Sequence, residues 1–196
     1  MPALHPQLEL DRCPHCSVAN PNLSNQKFFE TKDHAGGMRR VWGVYVCSNC
    51  GGVVTAWALK QGQETIEIFP KSPQVSEDIP ETPKTYLSQA ISSIHAPAGA
   101  VMLAASSVDA MLKEKGYKEG SLYTRIEKAV KDNLITREMA SWAHDVRLDA
   151  NDQRHADEMA NLPDTNDAKR VIDFVTAFGE YMFVLPAKIK RGLKPK

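Results

Sequence analysis

The sequence lacks net charge: its 24 Lys and Arg residues are matched by 24 Asp and Glu. No global field therefore draws the chain onto nucleic acid or an anionic membrane. It also lacks a long apolar run. The longest uncharged apolar stretch, from Ala98 to Val108, is short and interrupted by Ser106 and Ser107, which excludes a bilayer span there. The opening residues, MPALHPQLELDRC, hold no basic segment followed by an apolar one, so no secretory signal is read and a cytoplasmic location is expected. Cysteine is scarce, with four in 196 residues. In the cytosol thiols stay reduced, so paired cysteines there point to metal or redox chemistry rather than disulfides. A hydrophobic content of 42% excludes a disordered chain, and the length accommodates one ordinary domain plus a small module.

The four cysteines form two C-x-x-C pairs, Cys13-Pro14-His15-Cys16 and Cys47-Ser48-Asn49-Cys50, the second followed by Gly51-Gly52. A two-residue gap lets both thiolates of a pair meet one ion from a tight turn, and two such knuckles complete the tetrahedral set that zinc prefers. Cys13, Cys16, Cys47 and Cys50 are thus the expected ligands of one structural Zn2+ per chain. Four thiolates leave no open position, so His15 and His34 are read as bystanders. The competing thioredoxin-like reading needs a single pair at the start of a helix in a βαβ setting. The stretch between the pairs exceeds the usual ribbon spacing of roughly 15–20 residues, which calls for an extended hairpin or loop. Strand-like runs flank the second pair, Val41 to Val46 and Val53 to Trp57, and Thr65-Ile66-Glu67-Ile68-Phe69 alternates with period two.

Between the pairs, Lys27, Phe28, Phe29, Arg39, Arg40 and Trp42 interleave cations with rings. Such a set could stack single-stranded nucleic acid. The preferred reading is a hairpin whose aromatics form its small core, because residues 1–72 carry a net charge of only +1.

Four prolines, Pro70, Pro73, Pro80 and Pro83, then break a polar stretch, and a helical region follows. The expected organisation is a zinc ribbon over 1–70, a Pro-rich linker over 71–83, a helical bundle over 84–187 and a basic tail over 188–196. Thr82-Pro83 reads as cap and first residue of the first helix, Pro97 opens the second, and Gly116 stops it. The third helix runs from Ser121 to about Asn133. Thr136 caps the fourth, with Met139, Trp142, Ala143 and Val146 inward. Asp164 or Thr165 caps the last, with Val171, Phe174, Val175, Phe178, Tyr181, Met182 and Leu185 inward and a stop at Pro186. Five helices on short connections make an antiparallel bundle. Residues 73–187 carry a net charge of −6, unlike a general nucleic-acid binder.

Arg147, Asn151 and His155 recur every four residues and so share one polar stripe on the fourth helix, at the edge of its apolar face. A histidine there can act as acid or base near neutral pH, and an arginine can hold a phosphate. The alternative is a buried hydrogen-bond network, with Arg147 paired to an acidic neighbour and Asn151 and His155 tied to the loop before the last helix.

The order of these features resembles the bacterial and phage family known as domain of unknown function 4145. That order comprises the C-x-x-C pair, the CSNCGG knuckle, Ile68-Phe69-Pro70, Asp78-Ile79-Pro80-Glu81, Ser121-Leu122-Tyr123-x-x-Ile126, the Arg147…Asn151…His155 stripe and Tyr181-x-x-Val184-Leu185-Pro186. The resemblance implies a HEPN-like helical domain, dimerisation, and a setting in restriction or phage conflict. HEPN ribonucleases use a closely spaced arginine and histidine brought together across a dimer. Here Arg147 lies eight positions from His155, and Arg154 adjoins it. Ser106-Ser107 also stands where family members often carry arginine before an acidic residue, here Asp109. The expected protein is therefore a non-enzymatic zinc ribbon and helical bundle that binds a macromolecular partner, a protein above all, in bacterial or phage conflict. A homodimer is expected from the exposed Leu148, and no membrane association. The alternative is a metal-independent ribonuclease using Arg147, Asn151 and His155. A weaker one is nucleic-acid binding through the ribbon.

Overall fold

The computed structural model describes residues 1–71, 74–155 and 161–193. It divides into two compact units, Met1–Gln74 and Val75–Lys196.

The first unit is a four-stranded antiparallel sheet in the order β1-β2-β3-β4, with β1 Leu23–Thr31, β2 Arg40–Cys47, β3 Val53–Ala58 and β4 Glu67–Phe69. The long arm between the cysteine pairs is thus a hairpin. Alternation sends Val41, Tyr45, Cys47, Val54, Ala56 and Ala58 to one face, where all are buried. That face is covered by the N-terminal segment. Leu4 and Leu8 are fully buried against it, the Tyr45 hydroxyl donates to the His5 carbonyl at 2.9 Å, and Thr65 N donates to the Pro2 carbonyl at 2.8 Å.

The aromatics of the hairpin do not form this core as expected; they divide between the two faces. A register shift between Asn25 and Lys27 changes which β1 residues face the core. Phe28 therefore packs edge-on against Tyr45, with ring centroids 6.3 Å apart, while Phe29 pairs with Trp42 on the opposite, outer face. That outer face carries one ring from each strand: Phe29, Trp42, Trp57 and Phe69. Trp42 lies 6.4 Å from Phe29, 6.1 Å from Trp57 and 6.3 Å from Phe69. The Arg40 guanidinium sits 4.9 Å above the Trp57 ring.

The second unit comprises α1 Glu81–Ser92, α2 Pro97–Glu114, α3 Leu122–Lys131, α4 Arg137–His155, α5 Thr165–Gly179 and α6 Leu185–Gly192. Helix α2 is central and packs against α1, α3, α4 and α5. Its Ala100, Ala104, Ala105 and Ala110 allow that close approach. The buried Ser107 hydroxyl donates to the Pro83 carbonyl at 2.8 Å, so its polar group is satisfied inside the core. Ser121 caps α3, the Thr136 hydroxyl accepts from Met139 N, and Asp164 forms a reciprocal capping box with Asp167 at α5.

Three expectations need correction. Helix α1 begins at Glu81 after Pro80, not at Thr82-Pro83. Pro83 falls in the first turn, where its missing N–H has no intrahelical partner to lose. The final helix does not stop at Pro186. After α5 comes a π-helical turn, Glu180–Val184, and Pro186 then sits in the first turn of α6, which runs into the region read as a basic tail. The wider turn shifts the helical phase, so Tyr181 and Leu185 are exposed while Val184 is buried. Trp142, expected inside, is 40% exposed but rests on Phe174 with centroids 4.5 Å apart. Among the described residues, no helix is long and apolar enough to cross a membrane.

Candidate metal centre and arginine-lined pocket

Each cysteine pair bends into a knuckle closed by its own backbone. Ser17 N donates to the Cys13 carbonyl at 2.9 Å and Gly51 N to the Cys47 carbonyl at 2.8 Å. The residue after each second cysteine is left-handed, Ser17 at φ 56° and Gly51 at φ 71°. Glycine adopts that conformation at no steric cost. The amides of His15 and Gly52 point at the Cys13 and Cys50 sulfurs, each at 3.4 Å, and the Asn49 side-chain amide points at the Cys16 sulfur at 3.4 Å.

These knuckles bring the four sulfurs within 4.8 Å of one another, with Cys13 and Cys50 at 3.9 Å. A tetrahedron of zinc–sulfur bonds has edges of about 3.8 Å, given bonds of about 2.3 Å. The donor set therefore fits one zinc-like ion. Burial raises the Cys13 thiol above its ordinary value and pushes the Cys50 thiol up to about 12, whereas at Cys16 burial is outweighed by the Val18 amide, Asn49 and the neighbouring thiols, leaving it at about 7. A divalent cation compensates thiolates crowded this closely. His15 is not a fifth donor: its Nε2 lies 2.8 Å from the Val53 carbonyl. Its ring covers Gly52, where a Cβ would come within 2.5 Å of it, so glycine is required for the two knuckles to close on each other. His34 is exposed in the β1–β2 loop.

In the helical unit, a cavity of about 670 Å³ lies between the start of α1, α2, the start of α3 and α4. Arg125 from α3 and Arg147 and Arg154 from α4 all line it. Asp109 is the one charged residue among 97–112, and a carboxylate on so apolar a helix needs cationic partners. It has two, Arg125 Nη1 and Lys113 Nζ, each at 2.6 Å. Arg125 Nη2 also donates to the Lys118 carbonyl at 3.0 Å. Among the described residues, the expected pairing of Arg147 to an acidic neighbour is not made. Its guanidinium lies 5.5 Å over the Tyr123 ring instead, a cation–π contact. Tyr123 is braced by the His144 ring at 4.8 Å, and His144 Nε2 lies 2.8 Å from Glu127 Oε1. The Nε atoms of Arg125 and Arg147 are both buried without an acceptor.

Of the polar stripe, Arg147 and Asn151 line the cavity, while His155 is exposed and is not among its lining residues. The tie expected between Asn151, His155 and the following loop falls partly on residues 156–160, outside the described residues. Arg125, Tyr123 and Tyr86 line the cavity without having been expected as site residues. The lone Asp109 on an apolar helix was the signal that could have pointed to Arg125.

A tetrathiolate ribbon followed by a helical bundle defines the class of protein. The family model described as domain of unknown function (DUF4145) matches residues 88–195, over half of the chain, and the chain belongs to that family. The match lies within the helical unit and leaves out the ribbon. No curated protein matches the chain, and no solved structure does.

Proposed function

We propose that this protein is a non-enzymatic, zinc-stabilised binding module that engages a macromolecular partner through the outer face of its ribbon sheet. The observation that carries this reading is the row of four rings, Phe29, Trp42, Trp57 and Phe69. Phe29 and Phe69 are 40% and 38% exposed. Exposed contiguous aromatic surface is costly in water and is characteristic of interfaces. The zinc, closed by four thiolates, holds the sheet and leaves chemistry to other groups. A cytoplasmic location, where thiols stay reduced, is part of the reading, and a role in bacterial or phage conflict completes it and rests on the family resemblance. A dimer is part of it too, supported by the exposed Leu148 and by Tyr181, Leu185, Ile189 and Leu193, which recur every four residues and are all exposed.

The test is co-purification from the native host with full-length tagged protein. The reading predicts a stoichiometric partner with wild type and its loss with Phe29→Ala/Trp42→Ala at unchanged zinc content. Equal recovery of that partner with the double variant would refute the surface. Lys27 and Arg40 on the same face favour a second reading, single-stranded nucleic acid as the partner. In that case the co-purified material is nuclease-sensitive, and its binding weakens with salt and with Arg39→Gln/Arg40→Gln.

A further inference from the structure

We infer that two copies of this chain pair by reciprocal exchange of α6, the apolar and basic face of α6 in one copy lying in the acidic groove between α4 and α5 of the other. The inference rests on the dimer proposed above and names its interface; every group it uses lies in the second unit.

Helix α6 is an arm without a core of its own. Helix α5, the π turn and α6 follow one another without a break from Thr165 to Gly192, a rod of about 40 Å at 1.5 Å per residue. The α5 part packs on α2, whereas no residue of α6 is buried. A helix of eight residues is marginal in water unless something covers one of its faces. The side chains nonetheless sort by kind. Leu185, Ile189 and Leu193 continue the exposed line begun by Tyr181, and Lys188 and Lys190 flank Ile189 on either side. Arg191, about half a turn round from Ile189, ties the back of the helix to Asp78, so the apolar line faces away from its own bundle. From Tyr181 to Lys196 the sequence holds five basic residues and no acidic one.

The groove between α4 and α5 is the complement. Trp142, Leu148 and Val171 line it together with Asp145, Asp149 and Arg170. Trp142 and Leu148 are exposed, and large apolar side chains beside carboxylates suit a basic amphipathic helix. Among the described residues none of Asp145, Asp149 and Asp152 forms an ion pair, and Arg170 pairs with Asp167 instead. Burial raises the Asp149 carboxyl above its ordinary value; Arg170 lowers it, and Asp145, Asp152 and Asp167 raise it again. Cations laid along the groove relieve that crowding, and Lys188 and Lys190 form no ion pair among the described residues. The arm cannot fill its own groove. Ile189 stands eighteen residues beyond Val171 on the same rod, about 27 Å away. An antiparallel pairing of two rods about a two-fold axis sets each α6 beside the N-terminal half of the other α5, where Arg170 and Val171 lie. Both contacts then form at once, and the assembly closes at two copies. An anionic bilayer is the other surface that suits such a helix, but the net charge of −6 over residues 73–187 opposes its approach.

The experiment is sedimentation velocity on the full zinc-loaded chain over a range of concentrations, with helical circular dichroism as the control for folding. Wild type should be dimeric. Ile189→Asp should weaken the dimer by about tenfold or more, since it sets a carboxylate against an acidic, apolar groove. Lys188→Glu/Lys190→Glu and Asp145→Lys/Asp149→Lys should each be monomeric, because in either variant α6 and the groove carry the same sign. An equimolar mixture of the two should return to dimers, since each α6 then meets a groove of opposite sign. If the second variant unfolds, Asp145→Lys alone, at an exposed position, takes its place in both measurements. A dimer that persists in every variant would overturn the exchange of α6 and leave the dimer itself standing. A wild-type chain that stays monomeric up to about 100 µM would overturn both. Mixed variants that remain monomeric, or wild-type assemblies larger than two, would overturn the reciprocal pairing of these surfaces. A monomer that co-sediments with phosphatidylserine vesicles would likewise overturn it and assign α6 to a bilayer.

Discussion

The ribbon and the bundle reach stability by different routes. Among the described residues, ten buried side chains make up the ribbon core, two of them the cysteines Cys13 and Cys47, whereas twenty-five make up the bundle core, from Ile79 to Val184. A core as small as the first does not repay the ordering of its loops without a covalent or metal staple, while the second does so by apolar packing alone. A metal held by the four clustered cysteines would thus substitute for core, placed where core is scarce. The bundle, free of that requirement, carries the charged cavity.

The most forceful way to break this contrast is to remove a ligand. Cys47→Ser should abolish zinc binding and unfold the ribbon, since structural zinc contributes on the order of 10 kcal/mol or more to small modules. Loss of the Trp42 and Trp57 part of the near-ultraviolet tryptophan signal, with the Trp142 part and most of the helical circular dichroism retained, would be the readout, because two of the three tryptophans lie in the ribbon. The converse substitution is Phe178→Ala, at a fully buried position in the bundle. It should cost about 3–5 kcal/mol in helical unfolding and leave zinc stoichiometry unchanged. If instead either change melted both units together, the two routes would not be separate.

Smaller effects sharpen the picture within the bundle. Ser107→Ala removes the donor to the buried Pro83 carbonyl and should destabilise the helices by about 1–3 kcal/mol in denaturant titration. The smallest effect concerns Asp78, which receives two hydrogen bonds from Arg191 on α6, at 2.5 and 2.8 Å, and whose carboxyl is held below its ordinary value by them. A lowered folded-state value stabilises above the unfolded value, and that contribution disappears as pH falls through the folded one. Below about pH 4 α6 should therefore exchange its amides faster, and Asp78→Asn should show the faster rate already at neutral pH.

Legibility followed the locality of the signal. Cysteine spacing is a local code, and it led to sulfurs that the structure gathers within 4.8 Å. Caps at Ser121, Thr136 and Asp164 are local too. The strand pattern was legible until the register shift after Asn25, which moves Phe29 to the outer face in a way that strict alternation does not anticipate. No residue of Glu180–Val184 signals a π turn, so the phase of Tyr181 and Leu185 was misread and Pro186 was taken as a stop. The cavity was legible only in part. Arg147 and Asn151 lie on one helix face and could be paired by periodicity, whereas Arg125 and Tyr123 join them through the packing of α3 on α4, which no spacing within one helix reveals.

The central claim is that a single ion held by four thiolates substitutes for core in the ribbon. It is tested most directly by native mass spectrometry of the full chain, with elemental analysis, before and after each cysteine is replaced by serine. One zinc per wild-type chain, lost together with the ribbon's folded signal in each variant, is the result the account predicts. A metal-free chain whose ribbon unfolds at the same denaturant concentration as the zinc-loaded one would contradict it.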